Sequence, residues 1–589
     1  MKKKLALLLA LAMIAAMFAA CGGSGGSTSP SPDATATAAP SASTAPVATD
    51  SGETPPEEED EGTITTEYAS YEVDEDGILY ELYDYELPLT TSSESFSYTY
   101  SSIIPEDLPP EGVGTVPYFA GLREKTGVII EYVVIPFMSR WENASIALAS
   151  DDLTDLFSSM PMFGSTPMQK LVDENFLVNL YPYKDYFPNY YFDANNHPED
   201  INVIANIIPY PETIFSFLCL ESEYVTRNST ATRGDWLDRL GLSNNDIITV
   251  EDVHDVLVRY KNEMGSAGPY FLLSSLDTYN FFSAYDTVTT LPTGFPFTLI
   301  DNGNVQFTLS RNQDKSFMTM LNQWYNEGLF LPNWLEHGAN TTSLPTILDG
   351  TFGMMGMIPG EANDYSGINN VDPNAYWVPL HKPVLTPGQT FHLGDVRTWL
   401  SGGSWEISAD CENIPLLATY CDWFYSPEGI FYENYGVEGE TFTYNDKGEP
   451  QLTDFIINHP RGMSWALIQY AICDFMEGGV TQRSRTYALP GGENLKAFHA
   501  FWDDPNYYRY DGTMQWPSAI TLSPEGSARI AELGADVGTY ISENYVLFVD
   551  GTKPLTEWDA YVDGLHLMGW DEALMIYQNA YEEFSSRFG

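Results

Sequence analysis

Carboxylates and aromatic rings dominate the groups with which this chain could do chemistry. It has 82 Asp and Glu, 38 Tyr, 31 Phe and 13 Trp, so Tyr alone outnumbers Lys and Arg together. Carboxylates at fixed spacing can hold a cation. The run Glu72-x-Asp74-x-Asp76-Gly77 fits the opening of a calcium loop, with Gly at the sixth position. Its twelfth position is Tyr83, where a bidentate Glu is required, so the run reads as an acidic turn. Gly22-Gly23-Ser24-Gly25-Gly26 matches the pattern of a hydrolase nucleophile elbow, but it has no strand before it and no helix after it. Cys219, Cys411, Cys421 and Cys473 form no CxxC pair and lie away from His at metal spacing; they read as buried small hydrophobes, while a secreted chain would also permit disulfides in any of three pairings. No HExxH, Walker A or dinucleotide-type GxGxxG sequence occurs. No metal, nucleotide or other cofactor is expected.

Positioning such groups requires a large scaffold. A chain of 589 residues exceeds one hydrophobic core and should divide into at least two lobes. The formal net charge of -56 repels phosphate backbones, so nucleic acid is not an expected partner. It also weakly disfavours a polyanionic ligand unless cations bridge it. Between Cys21 and Pro110 there are 19 acids and no Lys or Arg, and beyond Pro110 there are still 63 acids against 23 bases. The acidity therefore belongs to the body as well as to the N-terminal region. The first twenty residues combine Lys2, Lys3 and Lys4 with an apolar run from Leu5 to Ala20, too short for a membrane span, and read as a signal peptide. Small residues directly before Cys21 resemble a lipoprotein cleavage site, which implies lipid on Cys21. Residues 21–94, rich in Gly, Ser, Pro and acids, read as a disordered tether.

The remaining chain alternates strand and helix signals. Phe96 to Tyr100 and Val128 to Ile135 read as strands, and Leu153 to Ser158 as a third, short one. Helices are expected over Val116 to Thr126, ending at Gly127, and over Arg140 to Ala149 and Pro167 to Asn175. Others are expected from an N-cap at Asp235 to Gly241, over Val250 to Glu263, and over Gln313 to Asn326. Asp301-Asn302-Gly303-Asn304 reads as a hairpin turn. Strands alternating with helices imply an α/β fold with a parallel sheet, whose ligands bind at the carboxyl ends of the strands.

Several segments in shared order resemble the extracellular solute-binding lipoproteins (family 1, carbohydrate-type) of ABC importers, in the large Gram-positive branch. They are Leu148-Ala149-Ser150-Asp151-Asp152-Leu153-Thr154-Asp155-Leu156, with Asp152 and Thr154 where the family has Gly and Pro; Arg233 to Leu242; and Trp324 to Leu329. Asp422 to Gly429 followed by Asn434 to Gly439, and the closing stretch Trp558 to Tyr581, complete the set. Together they cover about residues 95 to 589. The resemblance implies a two-lobed, type II periplasmic-binding-protein-like α/β fold that traps solute in an interlobe cleft. It places an N-terminal lobe at 95–212 and 355–402 and a C-terminal lobe at 213–354 and 403–589. The crossings should lie near Pro209 to Thr232, Gly350 to Gly360 and Trp399 to Ser408.

The resemblance further implies a non-enzymatic, monomeric receptor on the outer face of the cell membrane. It would deliver a sugar, expected to be an oligosaccharide, to ABC transporter permease subunits. Sugars are held by aromatic faces and by aimed polar groups. The expected cleft residues are Met160 and Phe163 after the third strand, Arg233 and Trp236 at the first crossing, and Trp399, Trp405 and Glu406 at the third. Trp399 and Trp405 flank Ser401-Gly402-Gly403-Ser404, a segment suited to close backbone approach. Trp324 and Trp423 are expected in the core. A surface glycoside hydrolase and a glycan-binding adhesin are the rival readings.

Overall fold

A computed structural model of the chain describes residues 62–102, 110–136, 139–150, 152–158, 168–271, 282–288, 295–330, 347–367, 370–395, 397–470 and 477–588. Its strands, in chain order, begin with β1 (Thr63–Thr65), β2 (Ser70–Glu72), β3 (Ser95–Ser102), β4 (Ile129–Pro136), β5 (Leu156–Phe157) and β6 (Phe217–Glu221). There follow β7 (Ser229–Arg233), β8 (Tyr270–Phe271), β9 (Thr298–Asp301), β10 (Asn304–Phe307) and β11 (Met354–Met357). The last are β12 (Trp377–Pro379), β13 (Leu400–Ile407), β14 (Phe442–Tyr444), β15 (Pro450–Leu452) and β16 (Gly479–Thr481).

Two sheets organise the unit from Asp60 to Gly589. The larger has the order β16-β6-β13-β5-β3-β4 and the smaller β12-β7-β11-β8. In the larger sheet β3 runs parallel to β4 and β5, and β6 parallel to β16. β13 is antiparallel to both β5 and β6, with Glu406 opposite Phe157 and Leu400 opposite Leu220. Five strands thus point one way and β13 the other, so the sheet is mixed rather than wholly parallel. In the smaller sheet β7 is antiparallel to β11 and β12, while β11 is parallel to β8. The carboxyl ends of β8, β11 and β12 therefore lie at the edge where β7 begins.

Local chemistry explains the elements read correctly from sequence. The helix Val250–Glu263 starts at Thr249, whose hydroxyl accepts from the Asp252 amide while the Asp252 carboxylate accepts from the Thr249 amide, a complete capping box. Val253, Val256, Leu257 and Tyr260 then fall on its buried face. The helix Pro117–Thr126 stops at Gly127 (φ 73°), where an added Cβ would lie 2.0 Å from the Thr90 carbonyl oxygen. Asn302 and Gly303, both at positive φ, turn β9 into β10. One cap is corrected: the short helix Gly234–Leu240 has Arg233 at its N-cap, and Asp235 lies inside the first turn.

Each sheet has its own core. The larger packs Phe217, Tyr190, Trp405, Trp423 and Phe424 among other apolar residues. The smaller packs Trp236, Tyr260, Trp324 and Phe548. Full burial of each such side chain contributes about 1.5–3 kcal/mol. Trp324 and Trp423 are core residues, as expected.

Sheet membership redraws the expected boundaries. β11 and β12 join β7 in the smaller sheet, so within 355–402 only the last residues, which open β13, belong with the N-terminal strands. β13 and β16 complete the larger sheet, so the stretch from 403 does not pass wholesale to the second half. Local sequence cannot reveal this, because β13 finds its partner β6 about 180 residues upstream. The tether also ends earlier than residue 94. Tyr71, Val73, Leu79, Tyr85 and Leu89 are buried, and Tyr71 and Tyr85 donate their hydroxyls to the Asp185 carbonyl (2.7 Å) and the Asp422 carboxylate (2.6 Å). Residues 62–94 thus carry enough aromatic surface to fold onto the larger sheet's half despite their acidity. No helix among the described residues is long and apolar enough to cross a membrane.

Candidate functional site

The chain passes between the sheets three times: between β6 and β7, between β12 and β13, and between β16 and the helix Gly492–Trp502, which packs on the smaller sheet through Phe498 and Trp502. The first crossing falls where the sequence suggested. The expected second, at 350–360, is instead β11 inside the smaller sheet. Every crossing leaves the larger sheet at the carboxyl edge of its parallel strands, because β13, the returning strand, is the antiparallel one. Every crossing also meets the smaller sheet at the edge formed by the carboxyl ends of β8, β11 and β12. The strand ends that bind ligands in α/β sheets therefore face the crossings from both halves.

Hydrogen bonds lace the crossings together. The Glu221 amide donates to the Trp399 carbonyl (2.8 Å) and the Ser222 amide to the Thr481 carbonyl (3.0 Å). The Glu223 carboxylate accepts from the Arg483 amide (2.7 Å). Asp503 accepts from the Thr226 hydroxyl (2.6 Å) and amide (3.0 Å), tying the first crossing to the smaller sheet's half. Glu221 is 3% exposed and ion-paired to Arg483. Burial raises its pKa, opposed by Arg483 and Arg227.

A ladder of rings and cations runs through the crossings. His197 lies 4.2 Å from Trp399, and Trp399 stacks on Tyr224 (5.4 Å, 24°). Arg397 sits 4.8 Å from the Tyr224 ring and 4.9 Å from the Tyr508 ring, and Lys382 lies 3.9 Å over Tyr508. Asp395 accepts from the Arg397 guanidinium (2.6–3.0 Å). The buried indole N–H of Trp399 has no acceptor among the described residues. Flat rings beside uncommitted donors suit a polyhydroxylated solute better than an apolar one.

The expected site residues separate on this geometry. Trp399 stands at the crossings. Met160 and Phe163 lie outside the described residues. Arg233 and Trp236 are at the far end of β7, in the core: Arg233 is 1% exposed and holds Asp235 through two hydrogen bonds (2.7 and 2.9 Å), and Trp236 packs edge-on against Tyr260. Trp405 and Glu406 are interior to β13, at 3% and 0% exposure, and Trp405 donates to the Tyr98 hydroxyl (3.1 Å). All four are buried within the two halves: Arg233 ends β7 and Trp236 lies in the helix that follows it, at the end remote from the crossings, while Trp405 and Glu406 lie inside β13. Sequence reading missed Tyr224, Lys382, Asp395, Arg397 and Tyr508. The closeness of Asp395 and Arg397 to Trp399 was the available signal.

Other candidate chemistries resolve as structural. Asp74 accepts from the amides of Asp76 and Ile78 (both 2.9 Å), a turn closed by its own backbone. Cys219, Cys411 and Cys421 are buried free thiols, and Cys473 and Cys21 lie outside the described residues. Glu251, His254 and Asp255 place metal-ligating atoms within 4.8 Å of one another. Glu251 also suits the first turn of its helix, where acids complement the dipole.

No protein-family model and no curated protein matches the sequence. Solved structures do. A human-milk-oligosaccharide-binding, ABC-transporter-associated solute-binding protein from Bifidobacterium longum infantis matches with a TM-score of 0.64 and 16% identity, over 83% of this chain and 99% of that one. The Streptococcus pneumoniae ABC-transporter substrate-binding protein FusA, in complex with kestose, matches at 0.59 and 18%, over 84% and 100%. The alginate-binding protein AlgQ2, without calcium ion, matches at 0.58 and 19%, over 84% and 99%. The chain has the mixed α/β, two-sheet fold of these solute-binding proteins.

Proposed function

We propose that the protein is a lipid-anchored extracellular receptor that captures an oligosaccharide between the carboxyl edges of its two sheets and delivers it to an ABC transporter permease. One observation carries this reading: all three crossings run between the ligand-binding edges of both sheets, past a ladder of aromatic rings. A solute placed there touches both halves, so it binds a closed arrangement better than an open one and shifts the balance toward closure. The proteins of like fold named above include receptors for milk oligosaccharides, kestose and alginate. Cys21, after its apolar run, is the proposed lipid attachment point. The protein acts alone and performs no chemistry on its solute.

A thermal-shift screen against mono- and oligosaccharides tests the reading. A ligand that binds only the native state raises Tm by mass action, by about 2.7 kcal/mol of stability at a hundredfold excess over Kd. The expected outcome is a saturable shift with one glycan class, recovered intact. Shortened glycan in the recovered material would establish a hydrolase. No shift with any sugar would remove the carbohydrate assignment.

A further inference from the structure

A buried lysine with no acceptor among the described residues stands at the start of the second crossing. Lys382 follows β12 by three residues, and the Leu380 amide before it still donates to the Thr230 carbonyl (3.0 Å). Lys382 is 5% exposed, and its ammonium has no hydrogen-bond partner among the described residues. Lysine offers three donors and no acceptor, so burial in this state is costly. What surrounds it is the face of Tyr508 at 3.9 Å, with Asp395, Arg397 and Asp503 near enough to act on its charge. Both carboxylates are committed elsewhere, Asp395 to Arg397 and Asp503 to Thr226. Burial pushes the Lys382 pKa down to about 8, with Asp395 opposing, so the group stays charged at neutral pH.

A second cation is similarly uncommitted. Arg227, half-buried in the first crossing, makes no hydrogen bond or ion pair among the described residues. Burial and the neighbouring Arg483 lower its pKa, while Glu221 raises it. In a chain with 82 acids and 26 bases, cations left over at the crossings run against the charge of the whole.

We propose that Lys382 receives an anionic group of the solute, so that the site selects acidic over neutral oligosaccharides. This rests on the reading of the protein as an oligosaccharide receptor. It reverses the expectation from net charge. The field of the surface carboxylates is screened over about 8 Å at physiological salt, whereas a buried cation acts at contact. A neutral sugar leaves the ammonium without a counter-ion; a carboxylate or sulfate gives it a charge-assisted hydrogen bond.

The test is isothermal titration of the full chain with matched pairs: sialyllactose and lactose, trigalacturonate and its methyl ester, and a sulfated disaccharide and its desulfated form. At least tenfold tighter binding of one acidic member is expected. Lys382→Met should abolish that preference and raise the Tm of the free protein, because the uncompensated charge is gone. Titration of the unaltered protein from pH 7 to 9.5 is the second measurement. There the preference should fall as Lys382 loses its proton. Equal affinity for both members of every pair, or a preference that survives Lys382→Met, overturns the inference and leaves the receptor reading standing. Binding of neither member of any pair overturns the oligosaccharide reading, and the inference with it.

Discussion

His381, the residue before Lys382, is sandwiched between Phe501 (4.0 Å, 15°) and Tyr507 (3.9 Å, 18°) and is 4% exposed. Its Nε2 has no hydrogen-bond partner among the described residues. Burial pushes its pKa down to about 4, against a small opposing pull from Asp504. The folded state therefore holds this histidine neutral at pH values where the unfolded chain protonates it. Stability is present above about 6.5 and lost as pH falls from there to about 4, by at most about 3 kcal/mol. In His381→Leu that loss should vanish. The Tm of the two proteins, followed by circular dichroism from pH 7.5 to 4, should keep a fixed separation above 6.5 and move in the mutant's favour below it. Parallel curves throughout would show that the ring is not held neutral. Legibility at this scale was poor for a plain reason. The Gly-rich neighbours of Trp399 place it at the edge of β13, but the burial of Arg233, Trp236, Trp405 and Glu406 depends on which strands and helices pack together, which no single residue encodes.

Elements fared better where their signals are local. Gly127 and the Asn302-Gly303 turn each act within a few residues and are where the sequence put them, and the expected helix Val250–Glu263 is started by an equally local capping box at Thr249. The segment 62–94 was misread because its composition is that of a tether while its aromatics are spaced to reach the body. Its principal pin is the Tyr85 hydroxyl on Asp422, a fully buried carboxylate that also accepts from the Asn189 and Tyr190 amides (3.1 and 2.7 Å). Burial raises the Asp422 pKa to about 7, against these hydrogen bonds. Removing one donor from a buried, charged acceptor costs about 1.5–3 kcal/mol. Tyr85→Phe should therefore destabilise the protein by about 2 kcal/mol. Hydrogen exchange should quicken in residues 62–94 ahead of the sheets. Exchange that quickens uniformly would place the loss in the whole fold rather than in this segment.

For the whole molecule, the fold class was legible and the division of the chain was not. Alternating strand and helix signals suffice for α/β. Which strands share a sheet depends on partners such as Leu400 and Leu220, far apart in sequence. If the crossings act as a hinge, a bound solute should compact the molecule. Small-angle scattering is then expected to show a smaller radius of gyration with the sugar that gives the thermal shift than without it. An unchanged radius at saturation would favour a rigid adhesin over a transport receptor.

The placement of β13 also bears on how the protein is made. It fills the gap between β5 and β6, so until it arrives the larger sheet exists as two fragments, each with an open edge facing the other. The intervening stretch from β7 to β12 builds the smaller sheet and must be synthesised first. A growing chain therefore carries unpaired strand edges for more than 170 residues of elongation, from the end of β6 to the start of β13. Unpaired edges of this kind template aggregation, and non-local pairing is slow. The architecture that brings three crossings to one edge thus makes the nascent chain dependent on protection until β13 has emerged, and leaves the outer edge of β6 open until β16 follows at residue 481.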